Sequence, residues 1–418
     1  MKKIILPGDV RGSIFAPPSK SVSQRAIAAS LLALGETKIK NISCCEDASA
    51  AEGVARNLGA KITRRKDSLI VKGAGENIGR GKKKIELNCK ESGLCIRLFT
   101  PISALCSQTV VLNATGSLLS RYLGEIEAPM QAAGAYCKTN LGRPPIIVRG
   151  PLIGGRIEVD GLISSQLISG FLFALPLCKN DSTLVARRLA SKPYVAISLS
   201  VLSKFGVKIE ADVEKGIFNI PANQEYKPAT FYVEGDWSSA SFLLVAGAIA
   251  GNITVRGLSE SSLQPDKKIV DALTLTGAKV RCKEGSVSVL SSSLCSFEFD
   301  ATDCPDLFPP LVALACNCKG KSTIYGSRRL IHKESNRAKS LVTEFKKLGG
   351  KLRVNGDKME IFGQKLRGGV VDSQKDHRIA MACAVAALCA KEKTIIYGAE
   401  CVSKSYPSFF EDLERVRT

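Results

Sequence analysis

Arg25-Ala26-Ile27-Ala28-Ala29-Ser30-Leu31-Leu32-Ala33-Leu34, then Gly35-Glu36, then Thr37-Lys38-Ile39-Lys40-Asn41-Ile42, is the stretch that decides the fold. Its first part is rich in small residues and apolar nearly all round, which predicts a helix inside a domain and not on its surface. The run opened by Thr37 alternates apolar and polar residues, as a half-buried strand does. The same pairing recurs ahead of Thr109, Thr183, Thr254, Thr323 and Thr394, at intervals of 72, 74, 71, 69 and 71 residues. The matching helices are expected over 96–105, 167–177, 240–250, 311–316 and 379–390. Self-similarity at a fixed period marks a repeated supersecondary unit, and six units account for almost all of the 418 residues.

Each unit continues with a second, amphipathic helix closed by a glycine: Gly59, Gly134, Gly206, Gly277 and Gly349. Glycine just past a helix end takes the left-handed cap conformation at little cost. Four of these are followed by an apolar-basic entry into a hairpin: Ala60-Lys61-Ile62, Val207-Lys208-Ile209, Ala278-Lys279-Val280 and Gly350-Lys351-Leu352. The fold class is therefore α/β, built from six β-α-β-α-β-β repeats, three per domain. The sixth copy ends without its hairpin, so its missing strand is expected from Lys2 to Val10. That places residues 1–14 and 229–418 in one domain and 15–228 in the other, with crossovers near Ser13 and Ala229.

Composition bounds the function. Hydrophobic content of 45% and 36 Gly suit a packed globular chain. No apolar run approaches the roughly 18–20 residues that span a bilayer, and the start is too weakly apolar for a signal peptide. Fifteen Cys occur without a CxxC pair, and His332 and His377 are the only histidines, so neither zinc nor a disulfide framework is expected. A reducing cytoplasm fits that usage. The +20 net charge points to anionic partners or simply to a lysine-rich surface. Aromatic residues are only 6%, which argues against a nucleic-acid-stacking platform.

Counting back from each marker threonine gives Lys20, Ser92, Gln166, Trp237, Asp306 and His377 near the starts of the buried helices. Counting forward gives Asp47, Arg121, Tyr194, Lys333 and Lys404 near the second helices. Helix N-termini carry free N–H groups and attract anions. Ser92, Ser238 and Ser239 can equally be ordinary N-caps. Capping accounts less well for Lys20, Arg25, Arg97, Arg121, Arg337 and Arg378, and the planar donor forks of the arginines suit an anion held between the domains.

Pro18-Ser19-Lys20-Ser21-Val22-Ser23-Gln24-Arg25, Glu91-Ser92-Gly93-Leu94-Cys95-Ile96-Arg97, Ser164-Ser165-Gln166, Ser191-Lys192-Pro193-Tyr194, Pro305-Asp306, Lys333-Glu334-Ser335-Asn336-Arg337, Asp376-His377-Arg378 and Lys404 together resemble the ordered motifs of the 5-enolpyruvylshikimate-3-phosphate synthase family. The resemblance runs the whole length of the chain. It implies a two-domain inside-out α/β barrel, no cofactor and no metal, a monomer, and no nucleic-acid or membrane partner. It further implies that Lys20, Ser21, Arg25, Ser164, Ser165, Gln166, Ser191, Tyr194, Asp306 and Lys333 hold shikimate 3-phosphate. Phosphoenolpyruvate would fall to Lys20, Gly93, Arg121, Gln166, Arg337, Arg378 and Lys404. In that scheme Asp306 is the base toward the 5-hydroxyl and Glu334 the proton donor or relay. Lys20 contacts both substrates, and the remaining cations stabilise the addition intermediate and the departing phosphate.

Four positions depart from the family pattern: Glu91 for Asn, Leu94 for Thr, Tyr122 for Pro, and Asn336 for Asp. The related transferase acting on UDP-N-acetylglucosamine carries Lys-Asn at the first motif and a Cys-bearing loop, and neither is evident here.

Overall fold

The computed structural model describes residues 1–81, 83–161, 165–331 and 333–418. Ser164, expected among the substrate ligands, lies outside the described residues, as do Lys82 and His332. One sheet order occurs five times. In the first copy Thr230–Tyr232 runs parallel to Glu36–Lys40, which pairs antiparallel with Ser68–Lys72, and Lys61–Arg65 forms the far edge. The same order builds Lys84–Asn88, Thr109–Asn113, Arg143–Arg149 and Tyr136–Asn140. It recurs with Arg156–Asp160, Ser182–Arg187, Ile217–Ile220 and Glu210–Asp212.

Two further copies use Val10–Phe15, Gly251–Arg256, Ser286–Leu290 and Lys279–Lys283, and Glu298–Asp300, Lys321–Tyr325, Lys358–Phe362 and Lys351–Asn355. The sixth sheet has three strands: Gly369–Asp372, Thr394–Tyr397 and, antiparallel to the latter, Lys2–Ile5. The N-terminal strand therefore supplies the missing partner, but only through Ile5; Val10 onward belongs to a different sheet.

The chain divides into two compact units, Met1–Pro17 with Glu234–Thr418, and Pro18–Val233. Thr230–Tyr232 is hydrogen-bonded beside Glu36–Lys40, so the chain remains in the second unit a few residues beyond Ala229. The first unit is built around the helices Trp237–Ala250, Phe308–Cys316 and His377–Ala387, which contact one another and are buried almost throughout. The second is built around Lys20–Leu32, Gly93–Ser103 and Ser165–Ala174. Each fully buried Phe or Leu on these helices contributes about 1.5–3 kcal/mol.

Two local details explain boundaries. Gly206 and Gly277 take φ values of 81° and 82°, ending their helices with the expected left-handed residue. In the third copy the hairpin strand begins at Glu210, later than Val207-Lys208-Ile209 suggested. There the Lys208 N–H donates to the Gln224 side chain, at 2.8 Å, instead of to a neighbouring strand. All fifteen cysteines are free thiols. Among the described residues no helix is long and apolar enough to cross a membrane.

Candidate active site

In the unit Pro18–Val233, Lys20 opens its helix and pairs with Asp47 at 3.0 Å, both side chains being largely buried. Asp47 lies in the first turn of Glu46–Asn57, where its charge also suits the helix start. One turn beyond the half-buried Ser21, Arg25 is 1% exposed and, among the described residues, meets no carboxylate. Its Nε donates to Ser198 Oγ at 2.8 Å and its Nη1 to the Ser21 carbonyl at 3.0 Å. Its Nη2 reaches Ser169 Oγ at 3.4 Å and the Tyr194 carbonyl at 3.3 Å. Burial lowers the guanidinium to about 10. A buried charge with only neutral partners is costly, and it is the arrangement an anionic ligand would relieve.

Beside it, Ser92 caps Gly93–Ser103 by accepting from the Cys95 N–H at 3.2 Å, while its hydroxyl donates to Gln24 Oε1 at 3.0 Å. Ser92 is thus a cap. Gly93 follows, and a Cβ there would stand 2.6 Å from Arg121 Nη1, 3.4 Å from Arg97 Nη1 and 3.7 Å from Gln166 Oε1. The missing side chain is what lets Arg121 and Gln166 converge. Behind them Arg97 ties the group together, donating to Glu125 Oε1 at 3.1 Å, the Tyr122 carbonyl at 3.1 Å and Gln166 Oε1 at 3.5 Å. Ser165 is buried in the first turn of its helix. Ser191 adopts the left-handed conformation, φ 58°, at the start of Lys192–Lys204, with Tyr194 half-buried one turn on.

In the other unit the centre is Asp306, in the turn Pro305–Leu307 ahead of Phe308–Cys316. Its Oδ1 meets Arg337 Nη1 at 2.8 Å and Lys333 Nζ at 3.5 Å, and its Oδ2 meets Arg378 Nη2 at 3.1 Å. Burial pushes the Asp306 carboxyl up, but Arg378, Lys333 and Arg337 outweigh it and hold the group well below the usual carboxylate range. Lys333 is lowered by burial, with Asp306 opposing. Arg337 has no exposed surface and serves three carboxylates. Its Nε donates to Asp376 Oδ2 at 2.9 Å, its Nη1 to Asp306, and its Nη2 to Glu334 Oε2 at 2.5 Å. Burial alone would lower its pKa; Asp376, Glu334 and Asp306 reverse that and raise it. Arg378 sits in the first turn of His377–Ala387, capped by Asp376, and Lys404 is buried at the end of the turn Ala399–Lys404.

The geometry refines several expectations. Arg337, expected to grip phosphoenolpyruvate, has its guanidinium largely engaged by Asp376, Asp306 and Glu334, so it organises the carboxylates at least as much as it offers donors. Asp376 is the principal residue that reading the sequence left without a role, and Asp47, Ser169 and Ser198 are others. Ser169 and Ser198 stand four residues after Ser165 and Tyr194, a helical spacing that places them on the same faces. Among the departures, Glu91 Oε2 accepts from the Ser117 N–H at 3.0 Å and from its hydroxyl at 2.7 Å, pinning the turn Gly116–Ser120 that leads into Arg121. Asn336 still caps its helix by accepting from the Lys339 N–H at 3.2 Å. The Tyr122 ring lies over Gly142 and Gly124, where a Cβ would come within 2.5 Å of it.

Buried guanidinium and ammonium groups near helix starts, and a carboxylate among three cations, are the chemistry that small anionic ligands require. The family model for EPSP synthase (3-phosphoshikimate 1-carboxyvinyltransferase) matches residues 5–413. A 3-phosphoshikimate 1-carboxyvinyltransferase of Clostridium perfringens is 40% identical, over 99% of this chain and 98% of its own length. One from Methanocella arvoryzae is 37% identical, over 99% and 98%. The solved EPSP synthase of Acinetobacter baumannii shares the fold, with a TM-score of 0.84 and 24% identity over 100% of this chain and 98% of that one. The enolpyruvyl transferase NikO of Streptomyces tendae does so as well, with a TM-score of 0.80 and 16% identity over 99% and 96%. The chain belongs to the EPSP synthase family. It is an enzyme, and its activity is the enolpyruvyl-transfer step of the shikimate pathway.

Proposed function

We propose that the two sets of residues serve one reaction, in which the enolpyruvyl group of phosphoenolpyruvate passes to the 5-hydroxyl of shikimate 3-phosphate with release of phosphate. What supports this reading most is Arg25, a buried guanidinium among Ser169, Ser198 and backbone carbonyls with no carboxylate beside it. Such a group suits the monoester phosphate of the acceptor, with Ser21, Ser165, Gln166, Ser191 and Tyr194 as further ligands; Ser164, the other expected ligand, lies outside the described residues. Gly93, Arg121 and Gln166 suit the small carboxylate-phosphate, together with Lys20, Arg337, Arg378 and Lys404.

Asp306 takes the 5-hydroxyl proton as the oxygen bonds to C2 of phosphoenolpyruvate, and C3 receives a proton to become a methyl group. Loss of phosphate and of one C3 proton then restores the double bond. In the ligand-free state Asp306 is a weak base, because three cations hold its charge. Phosphate and carboxylate groups arriving on Arg378 and Lys333 screen those cations and raise its basicity when it is needed. Glu334, gripped by Arg337, acts as the proton donor or relay, and Lys20 shares in the proton transfer.

The six units form an inside-out α/β barrel in two domains, with the catalytic and phosphoenolpyruvate residues mainly in the split domain and the shikimate 3-phosphate residues mainly in the contiguous one. The enzyme works as a cytoplasmic monomer. Phosphate release is the test. It should require both shikimate 3-phosphate and phosphoenolpyruvate; release with either alone, or none with both, overturns the reading.

A further inference from the structure

We propose that the solvent face of the sheet Val10–Phe15, Gly251–Arg256, Ser286–Leu290 and Lys279–Lys283 is a docking surface for single-stranded RNA. Five exposed cations stand on it: Arg11, Arg256, Lys279, Arg281 and Lys283. None has an ion-pair partner among the described residues, and no carboxylate shares the face; the nearest in sequence, Glu284, is in the hairpin turn. The outward faces of the other five sheets each carry at least one carboxylate, for example Glu36, Glu86, Glu158, Glu298 or Asp372.

The arrangement on the face is ordered. Lys279, Arg281 and Lys283 alternate along one edge, about 7 Å apart at the usual strand rise, a ladder that a sugar-phosphate backbone can follow. Ser13, Thr254 and Ser288 lie in one cross-strand row that ends at Arg281, and the Thr254 and Ser288 hydroxyls are hydrogen-bonded at 2.8 Å. At the end of the next row Phe15 is 68% exposed and lies directly opposite Arg256. An exposed ring beside a guanidinium offers a base something to stack on, and the hydroxyl row offers donors and acceptors to base and ribose edges. An anionic bilayer would use the cations and Phe15 but has no use for the hydroxyls, so the single strand is the better fit. The low aromatic content limits stacking to this one ring, and affinity rests mainly on charge.

The test is fluorescence anisotropy of a labelled ten-nucleotide oligouridylate with the full-length enzyme at 50 and 200 mM salt. Three phosphate contacts predict a logarithmic salt slope of about −2. Lys279→Ala/Arg281→Ala/Lys283→Ala should weaken binding tenfold or more and flatten that slope, with phosphate release unchanged as evidence of folding. Phe15→Ala should weaken binding about fivefold or more without altering the slope. Lys38→Ala/Lys40→Ala/Lys61→Ala removes the same charge from a different sheet and should leave binding intact. The proposal is overturned by absence of binding at 50 mM salt, by equal loss in both triple variants (net charge alone), or by tighter binding to phosphatidylserine vesicles than to the oligonucleotide.

Discussion

Arg337 and Asp376 face each other with no solvent-exposed surface on either side chain, joined through Nε and Oδ2 at 2.9 Å and through Nη2 and Oδ1 at 3.3 Å. Asp376 also caps the helix that carries Arg378, so one carboxylate fixes two arginines from different elements. Breaking a buried pair strands the surviving charge, which costs about 3–5 kcal/mol. Asp376→Ala should lower stability in denaturant titration by about that much. Asp376→Asn, which can still cap, should lose less. Equal losses would mean that the charge and not the cap is what matters.

Arg25 should behave in the opposite way. Its depressed pKa marks a native state that resists the charge, a cost present in full below about pH 10 and fading as pH rises through that value. Arg25→Gln removes the charge and keeps donors for Ser169 and Ser198. Stability should hold or rise, while KM for shikimate 3-phosphate rises by about a hundredfold or more. A variant that is both less stable and normal in KM would show that Arg25 serves packing.

For Asp306 the signs are reversed again. The carboxyl is held low, so its ion pairs stabilise the fold above the unfolded value of about 3.9 and lose that effect as pH falls through the folded one. The stability difference between the parent and Asp306→Asn should be flat from pH 8 to 5 and shrink below about pH 4. Turnover of the variant should fall by about 10²–10⁴, with phosphoenolpyruvate binding still measurable by calorimetry. Retained turnover would move the base elsewhere.

Gly93→Ala places a methyl group 2.6 Å from Arg121 Nη1, and the arginine must move. KM for phosphoenolpyruvate should rise tenfold or more, with a smaller change in kcat, because the residues around Asp306 are untouched. Glu91→Ala loosens the turn before Arg121 and should raise the same KM by a few-fold. If kcat falls and KM holds, the Arg121 pocket is not where phosphoenolpyruvate binds.

The repeat was readable because the same signs recur in each copy: a buried run as uniformly apolar as residues 242–250, then an alternating run of strand character. Helix starts followed from that, and with them Lys20, Gly93, Asp306 and Arg378. The partners were harder to see. Asp47 reads as an ordinary first-turn acid until the fold sets it against Lys20, and Ser198 as a helix-surface serine until Arg25 is found beneath it. Distance along the chain hides them; Arg25 and Ser198 are 173 residues apart. The late start of Glu210–Asp212 depended on a single glutamine side chain competing for a backbone N–H, a choice that residue patterning does not record.

The strand Lys2–Ile5 waits for Thr394–Tyr397, the last strand to be synthesised. On the ribosome the contiguous stretch Pro18–Val233 has every partner it needs soon after it emerges, whereas the beginning of the chain must stay uncommitted through nearly the whole of translation. Assembly of the split unit is therefore a closing event, completed only when Lys2–Ile5 meets Thr394–Tyr397.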